Sequence, residues 1–223
     1  FIFLLASLSI QAKVTLPSIY SDGMVLQRNH SIRIWGQADR NEKIQVLFAG
    51  QKGTAKTDIN GYWEVSLKAL EAGGPYELQV IGRDNRINIK DILIGDVWLC
   101  SGQSNMQWVV NNVTNAEAEK KNANYPQIRA LNIPRRMELS PKDTISATWL
   151  VCSPETVGRF SGVAYFFARK VYEETHVPIG IINSSWGGTI VETWTSMEAS
   201  NTLPQKRLNR YNKDGKLLPP TEY

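Results

Sequence analysis

Between Lys13 and Lys90 apolar residues recur at every second position in short runs, each closed by a turn signal. Ile32-Arg33-Ile34-Trp35 alternates and stops at Gly36, and Ile44, Val46 and Phe48 alternate with Gln45 and Leu47 before Gly50. Asp58-Ile59-Asn60-Gly61 reads as a turn, with Trp63, Val65 and Leu67 following on one face. Gly73-Gly74-Pro75 reads as another, ahead of Tyr76, Leu78 and Val80, and Asp84-Asn85 leads into Ile87 and Ile89. A period of two places successive side chains on opposite faces, so these regular short runs predict a small all-β sandwich. Trp35 and Trp63 fall within the alternation and are expected in its core.

From Asp96 the period changes. Val97, Trp98, Leu99 and Cys100 fit a strand buried on both faces. Gly102 permits a tight bend, which would put Ser104 just past the strand's carboxyl end, where open α/β sheets hold ligands. Asn115 is placed to cap a polar helix over 116–123, in which Glu117 can meet Lys121. Ile128, Ala130 and Leu131 mark a second strand, and the Pro-containing stretch 132–153 reads as an irregular rim. Ser161 opens a helix through Glu174 with Val163, Phe167 and Val171 as its apolar stripe, and Pro178 blocks its continuation. Ile179 to Asn183 is a third buried strand, and Gly187-Gly188 its turn. The order predicts an α/β fold, a doubly wound parallel sheet preceded by the sandwich. The division is expected between residues 13–92 and 93–223, with no flexible spacer and the two parts packed together.

Residues 1–12 are apolar, then small and polar, and too short to span a bilayer. They read as the h-region and cleavage end of a secretory signal, predicting a mature start near Lys13 and a secreted or periplasmic location, free of the membrane after cleavage. The 223 residues are 42% hydrophobic, which supports a packed core and excludes global disorder. The net charge of +4 is mild and scattered. Arg135-Arg136 and the basic residues between Lys206 and Lys216 lack the interleaved aromatics of a nucleic-acid surface and are read as solvated loops. Cys100 and Cys152, the only cysteines, fit no metal-ligand spacing. Buried free thiols are expected, with a disulfide open in an oxidising compartment.

A serine at a strand's carboxyl end can point its hydroxyl into a crevice beside free backbone N–H groups, the pairing that acyl transfer needs. It can equally be a plain helix N-cap. Gly102-Gln103-Ser104-Asn105-Met106 resembles the nucleophile block of SGNH hydrolases, in the branch of the sialate O-acetylesterases. Pro178 to Thr189, followed by Glu192 and Trp194, resembles a second block of that branch, and Phe160 to Arg169 a third, in the family's order. The resemblance covers roughly residues 13–200 and takes in the N-terminal β-module. It implies a carbohydrate O-acetylesterase with Ser104 as nucleophile, an acetylated sugar as substrate and no metal or organic cofactor. Ser104, Gly187 and Gly188 would offer N–H groups to the oxyanion. The amides of Gln103, Asn105 and Asn183 could complete the hole or hold Ser104. Glu192 could anchor substrate or be a solvated strand-end carboxylate, and Trp186 and Trp194 could stack on a sugar or pack the sheet edge.

The same resemblance implies a histidine base, with an aspartate a few residues before it, near the end of the catalytic domain. Only His30 and His176 exist, and neither follows an aspartate at that spacing. His30 is expected in a turn, and His176 at the amino end of the third strand, away from Ser104. The expectation is therefore a chain cut before its last catalytic block, or an inactive relative. Acetylated xylan or another glycan remains open as substrate, and so does a non-catalytic carbohydrate-binding protein.

Overall fold

The computed structural model describes residues 13–137, 142, 144–200 and 202; the leader-like residues 1–12 lie outside them. The described chain forms two units, one ending at Gly187 and one beginning at Gly188.

The first unit opens with β1 (Val25–Gln27), β2 (Ile32–Gln37), β3 (Lys43–Phe48), β4 (Gln51–Lys56), β5 (Tyr62–Leu67) and β6 (Gly73–Ile81). β7 (Arg86–Gly102) follows, 17 residues long. β2 and β5 pair as one antiparallel layer, and β4, β3, β6 and the first half of β7 make the other. Ile34, Ile44, Val46, Trp63, Leu78 and Val80, the expected inward positions, are at most 1% exposed between them. Burying a side chain of this size contributes roughly 1.5–3 kcal/mol. β4 has no apolar alternation to reveal it. It forms because Ala49 and Gly50, both at positive φ, close a two-residue hairpin turn onto β3. The Gly73-Gly74-Pro75 stretch, expected as a turn, lies inside β6 at a register shift against β7.

Beyond the sandwich, β7 continues without interruption into the second half of the unit, so the expected division at residue 92/93 falls within one strand. There follow α1 (Ser104–Gln107), α2 (Ala116–Asn122), β8 (Tyr125–Asn132), β9 (Trp149–Cys152), α3 (Gly162–Thr175) and β10 (Ile179–Ser185). β7, β10 and β8 run parallel in that spatial order, and β9 adds antiparallel to β8. The result is a mixed α/β sheet. Its β9 was hidden in the stretch read as irregular, because four residues show too little alternation.

Each face of this parallel sheet has its own core. Cys100, Ile128, Ala130, Ile179 and Ile181 pack with Ala164, Tyr165 and Ala168 of α3. Leu131, Trp149, Val97 and Ile182 join the sandwich core on the other face. Ser161 caps α3, its Oγ accepting from the Ala164 N–H at 3.3 Å.

Three local expectations need correction. The helix turns its small residues to the sheet, so Val163 and Phe167 of the expected stripe are 50% and 39% exposed. Phe167 instead meets Trp98 edge-on, ring centroids 5.0 Å apart. The strand Val97–Cys100 is likewise not buried on both faces: Trp98 is 44% and Leu99 70% exposed, because residues 96–102 pair only with β10 among the described strands. Asn115 precedes α2 in a left-handed conformation and makes no side-chain cap, and Glu117 pairs with Lys120 rather than Lys121.

The halves are also joined by Arg129 on β8, 4% exposed, whose guanidinium donates to Asp91 Oδ2 at 2.6 Å and Oδ1 at 3.1 Å and to the Pro126 carbonyl. Asp91→Ala strands this cation away from water. Urea unfolding should show a loss of about 3 kcal/mol, the low end for a broken buried pair because Asp91 is half-exposed; a change within experimental error would remove the pair from the stabilising contacts. Both cysteines are buried free thiols. Burial pushes the Cys152 thiol up to about 12 and raises Cys100 as well. At pH 8 only about one Cys152 in ten thousand would be thiolate, so a thiol reagent should label it only after unfolding. Stoichiometric native labelling of Cys152 would contradict this.

The second unit is described over 188–200 and 202. It holds a 3-10 turn, Val191–Trp194, and α4 (Met197–Ser200).

Candidate active site

The site follows from strand register. β10 and β7 are paired in parallel from Ile179 opposite Asp96 to Ser185 opposite Gly102. Two residues beyond that last pair, each strand delivers a candidate: Ser104 after β7 and Gly187 after β10. The Trp186 N–H donates to the Gly102 carbonyl at 3.0 Å, so the register persists to the edge of the site. Gly102 has φ +148, a backbone conformation that side-chain-bearing residues rarely adopt. That bend turns the chain out of the sheet and into α1. Gln103 takes the N-cap position without a side-chain bond, and Ser104 is the first helical residue rather than the cap.

Ser104 is exposed, and its hydroxyl has no hydrogen-bond partner among the described residues. It opens onto a cavity of about 420 Å³ lined by Gln107, Trp108, Asn112, Arg135 and Gly187. The Gly187 N–H donates to Gln107 Oε1 at 2.6 Å. A Cβ added to Gly187 would sit 3.1 Å from Ser104 Oγ and 3.2 Å from Gln107 Oε1, so the glycine backbone lies close against these two side chains. The Trp108 indole N–H donates to the Asn112 carbonyl at 2.9 Å and fixes that wall.

Of the residues expected from sequence, the structure brings Ser104 and Gly187 together in this cavity. Gln103 and Asn105 flank Ser104, are exposed and do not line it. Asn183 lies within the sheet, its Nδ2 donating to Asn132 Oδ1 at 3.1 Å across β10 and β8. Gly188, at φ +80, opens the second unit, where the Trp194 indole N–H donates to Thr189 Oγ1. Glu192 is in the 3-10 turn, and its side chain lies outside the described residues. His30 is in an exposed turn after β1. His176 ends α3 at φ +54, before β10 begins, and its ring meets Tyr172 edge-on. The seven residues of β10 place roughly 20 Å between His176 and the Ser104 end of the sheet.

Gln107, Trp108, Asn112 and Arg135 were not anticipated. A signal for Gln107 existed, since i and i+3 share a helix face. One existed for Arg135 too, which follows the end of another parallel strand.

Sheet, strand-end serine and facing glycine define an SGNH-like α/β fold. A crystallised carbohydrate acetylesterase from Xanthomonas citri superposes with a TM-score of 0.82 at 38% identity, over 86% of this chain and 46% of that one. Residues 94–216 match the family model described as carbohydrate esterase, sialic acid-specific acetylesterase. The chain is 36% identical over 199 residues to the sialate O-acetylesterase of Homo sapiens, and 35% identical over 193 residues to that of Mus musculus. These alignments take in 80% and 78% of this chain. The chain belongs to the sialic acid-specific acetylesterase family. It spans 38% and 36% of the length of those two relatives.

Gly187→Ala should crowd Ser104 Oγ without unfolding the chain. A displacement of a few tenths of an ångström at Ser104 Oγ should slow imidazole-assisted fluorophosphonate labelling of Ser104 about tenfold. Labelling at the parent rate would show that the contact does not constrain the serine.

Proposed function

We propose that Ser104 is the nucleophile of a carbohydrate O-acetylesterase that removes acetyl groups from O-acetylated sialic acids. The observation that carries the reading is an exposed, unbonded serine hydroxyl in a cavity at the carboxyl ends of parallel strands, in a chain of this family. Its Oγ attacks the acetyl carbonyl, the alcohol of the sugar leaves, and water releases acetate from the acetyl-enzyme. The Ser104 N–H is one donor for the tetrahedral oxygen. The Gly187 N–H serves only if Gln107 turns away, because Gln107 Oε1 occupies it. The amide nitrogen of Gln107 is then a second donor in the same cavity. Gly188, Gln103 and Asn105 keep supporting roles at the turns, Asn183 one within the sheet, and Glu192 that of a substrate anchor. The sandwich of residues 13–92 acts as the support on which the esterase part, from 93 onward, is built. Export to a secreted or periplasmic location belongs to the same proposal. Among the described residues no helix is long and apolar enough to cross a membrane.

Serine is a weak nucleophile without a base, and neither histidine of the 223-residue sequence is among the described residues lining the Ser104 cavity. A second reading of the same cavity is a carbohydrate-binding site without catalysis. Free imidazole separates the two. The exposed Oγ leaves room for it, so acetate release from acetylated sialic acid by the 223-residue chain should rise with imidazole concentration and disappear in Ser104→Ala. Because only neutral imidazole accepts a proton, the effect should fade as pH drops below about 7. Binding of sugar with no imidazole-dependent release would favour the second reading. A comparison of acetylated xylan with acetylated sialic acid decides the substrate.

A further inference from the structure

We propose that Arg135 is a specificity-determining residue that holds the carboxylate of an acidic sugar, so that the Ser104 cavity prefers anionic acetyl esters to neutral ones. The inference rests on the reading of this cavity as the ester site and adds the group that recognises the substrate's charge.

Among the described residues lining the cavity Arg135 carries the only formal charge, and none of them is a carboxylate. The sequence presented Arg135 and Arg136 as a solvated pair, but only Arg135 faces the cavity. Arg28, Arg33, Arg129 and Arg169 are each engaged by a carboxylate, from Asp96, Glu64, Asp91 and Glu119 respectively. Arg135 has no ion pair or side-chain hydrogen bond among the described residues, so its whole donor fork is available. A planar guanidinium with five N–H donors matches a carboxylate in a two-bond arrangement.

Placement also follows from the sheet. β8 is paired with β10 up to Asn132 opposite Asn183, and the Ile133 N–H still donates to the Asn183 carbonyl at 2.9 Å. Pro134 then fixes the backbone leading to Arg135. The cavity therefore takes Ser104 from the end of β7, Gly187 from the end of β10 and Arg135 from the end of β8. The reacting atom and the charge reader stand on separate strand ends, which suits a substrate whose acetyl ester and carboxylate are separate groups on one sugar.

The test uses the 223-residue chain and two probes, N-acetylneuraminic acid and its neutral methyl ester, with affinities measured by ligand-observed NMR. The acid should bind about tenfold more tightly than the ester at low salt, and the preference should shrink as salt rises. Arg135→Gln should abolish the preference, Arg135→Lys should retain part of it, and Arg136→Gln should keep it. Equal affinity of the parent chain for the two probes, binding of neither, or a preference that survives Arg135→Gln would overturn the proposal. The esterase reading is judged separately, by imidazole-dependent acetate release from a neutral acetyl ester in the parent chain against Ser104→Ala. A failure of either is thereby told apart from a failure of the other.

Discussion

The architecture depends on one strand obeying two sets of pairing rules. The first half of β7 is antiparallel to β6, and the second half is parallel to β10. At about 3.3 Å per residue its 17 residues extend roughly 55 Å, enough to run from one pairing partner to the other without a break. A parallel sheet needs cover on both faces. Here α3 covers one, and the sandwich core extends onto the other through Leu131, Trp149 and Ile182. The β-module is thus part of the hydrophobic support of the sheet that presents Ser104.

The candidate site is a consequence of that support. Once β7 and β10 are locked in parallel register, Ser104 and Gly187 arrive level with one another, each two residues beyond the last pair. The third wall comes with β8, which is in register with β10 from Ile128 to Asn132. Little of the site's precision needs to come from α1, which has four residues and no side-chain cap. Rigidity is inherited from the sheet, and chemistry is left to the loops that leave it.

Much of this was legible in the sequence because it rests on short-range periodicity. The alternation of Ile44, Val46 and Phe48 and of Trp63, Val65 and Leu67 marked the inward faces correctly. The strand–turn–serine order placed Ser104 at a strand end, and motif resemblance identified the family. Features set by tertiary pairing were less legible. β4 shows no apolar alternation and exists through its hairpin. Val163 and Phe167 looked like the buried stripe of α3, but close approach to the sheet selects Ala164 and Ala168. Trp98 and Leu99 read as core because composition does not say which strands pair beside them. Arg135 read as a loop residue because its meaning depends on where β8 ends relative to β7 and β10.

The bulge in β7 shows how one chain segment can satisfy both layers. Between Tyr76 and Leu78 of β6 lie two steps, whereas the facing span from Ile89 to Ile92 takes three, and Asp91 sits there at φ +56. In the sequence this is the break in spacing from Ile87 and Ile89 to Ile92 and Ile94. An extra residue reverses which side the following side chains face. The strand thereby resets its phase as it leaves the sandwich, and the residue at the reset is the one that engages Arg129. Such a joint tolerates sequence drift but not a change of length. One residue gained or lost between Ile89 and the parallel half would exchange inside for outside along everything downstream, including the level at which Ser104 emerges. β7 thus acts as the ruler from which both layers are measured.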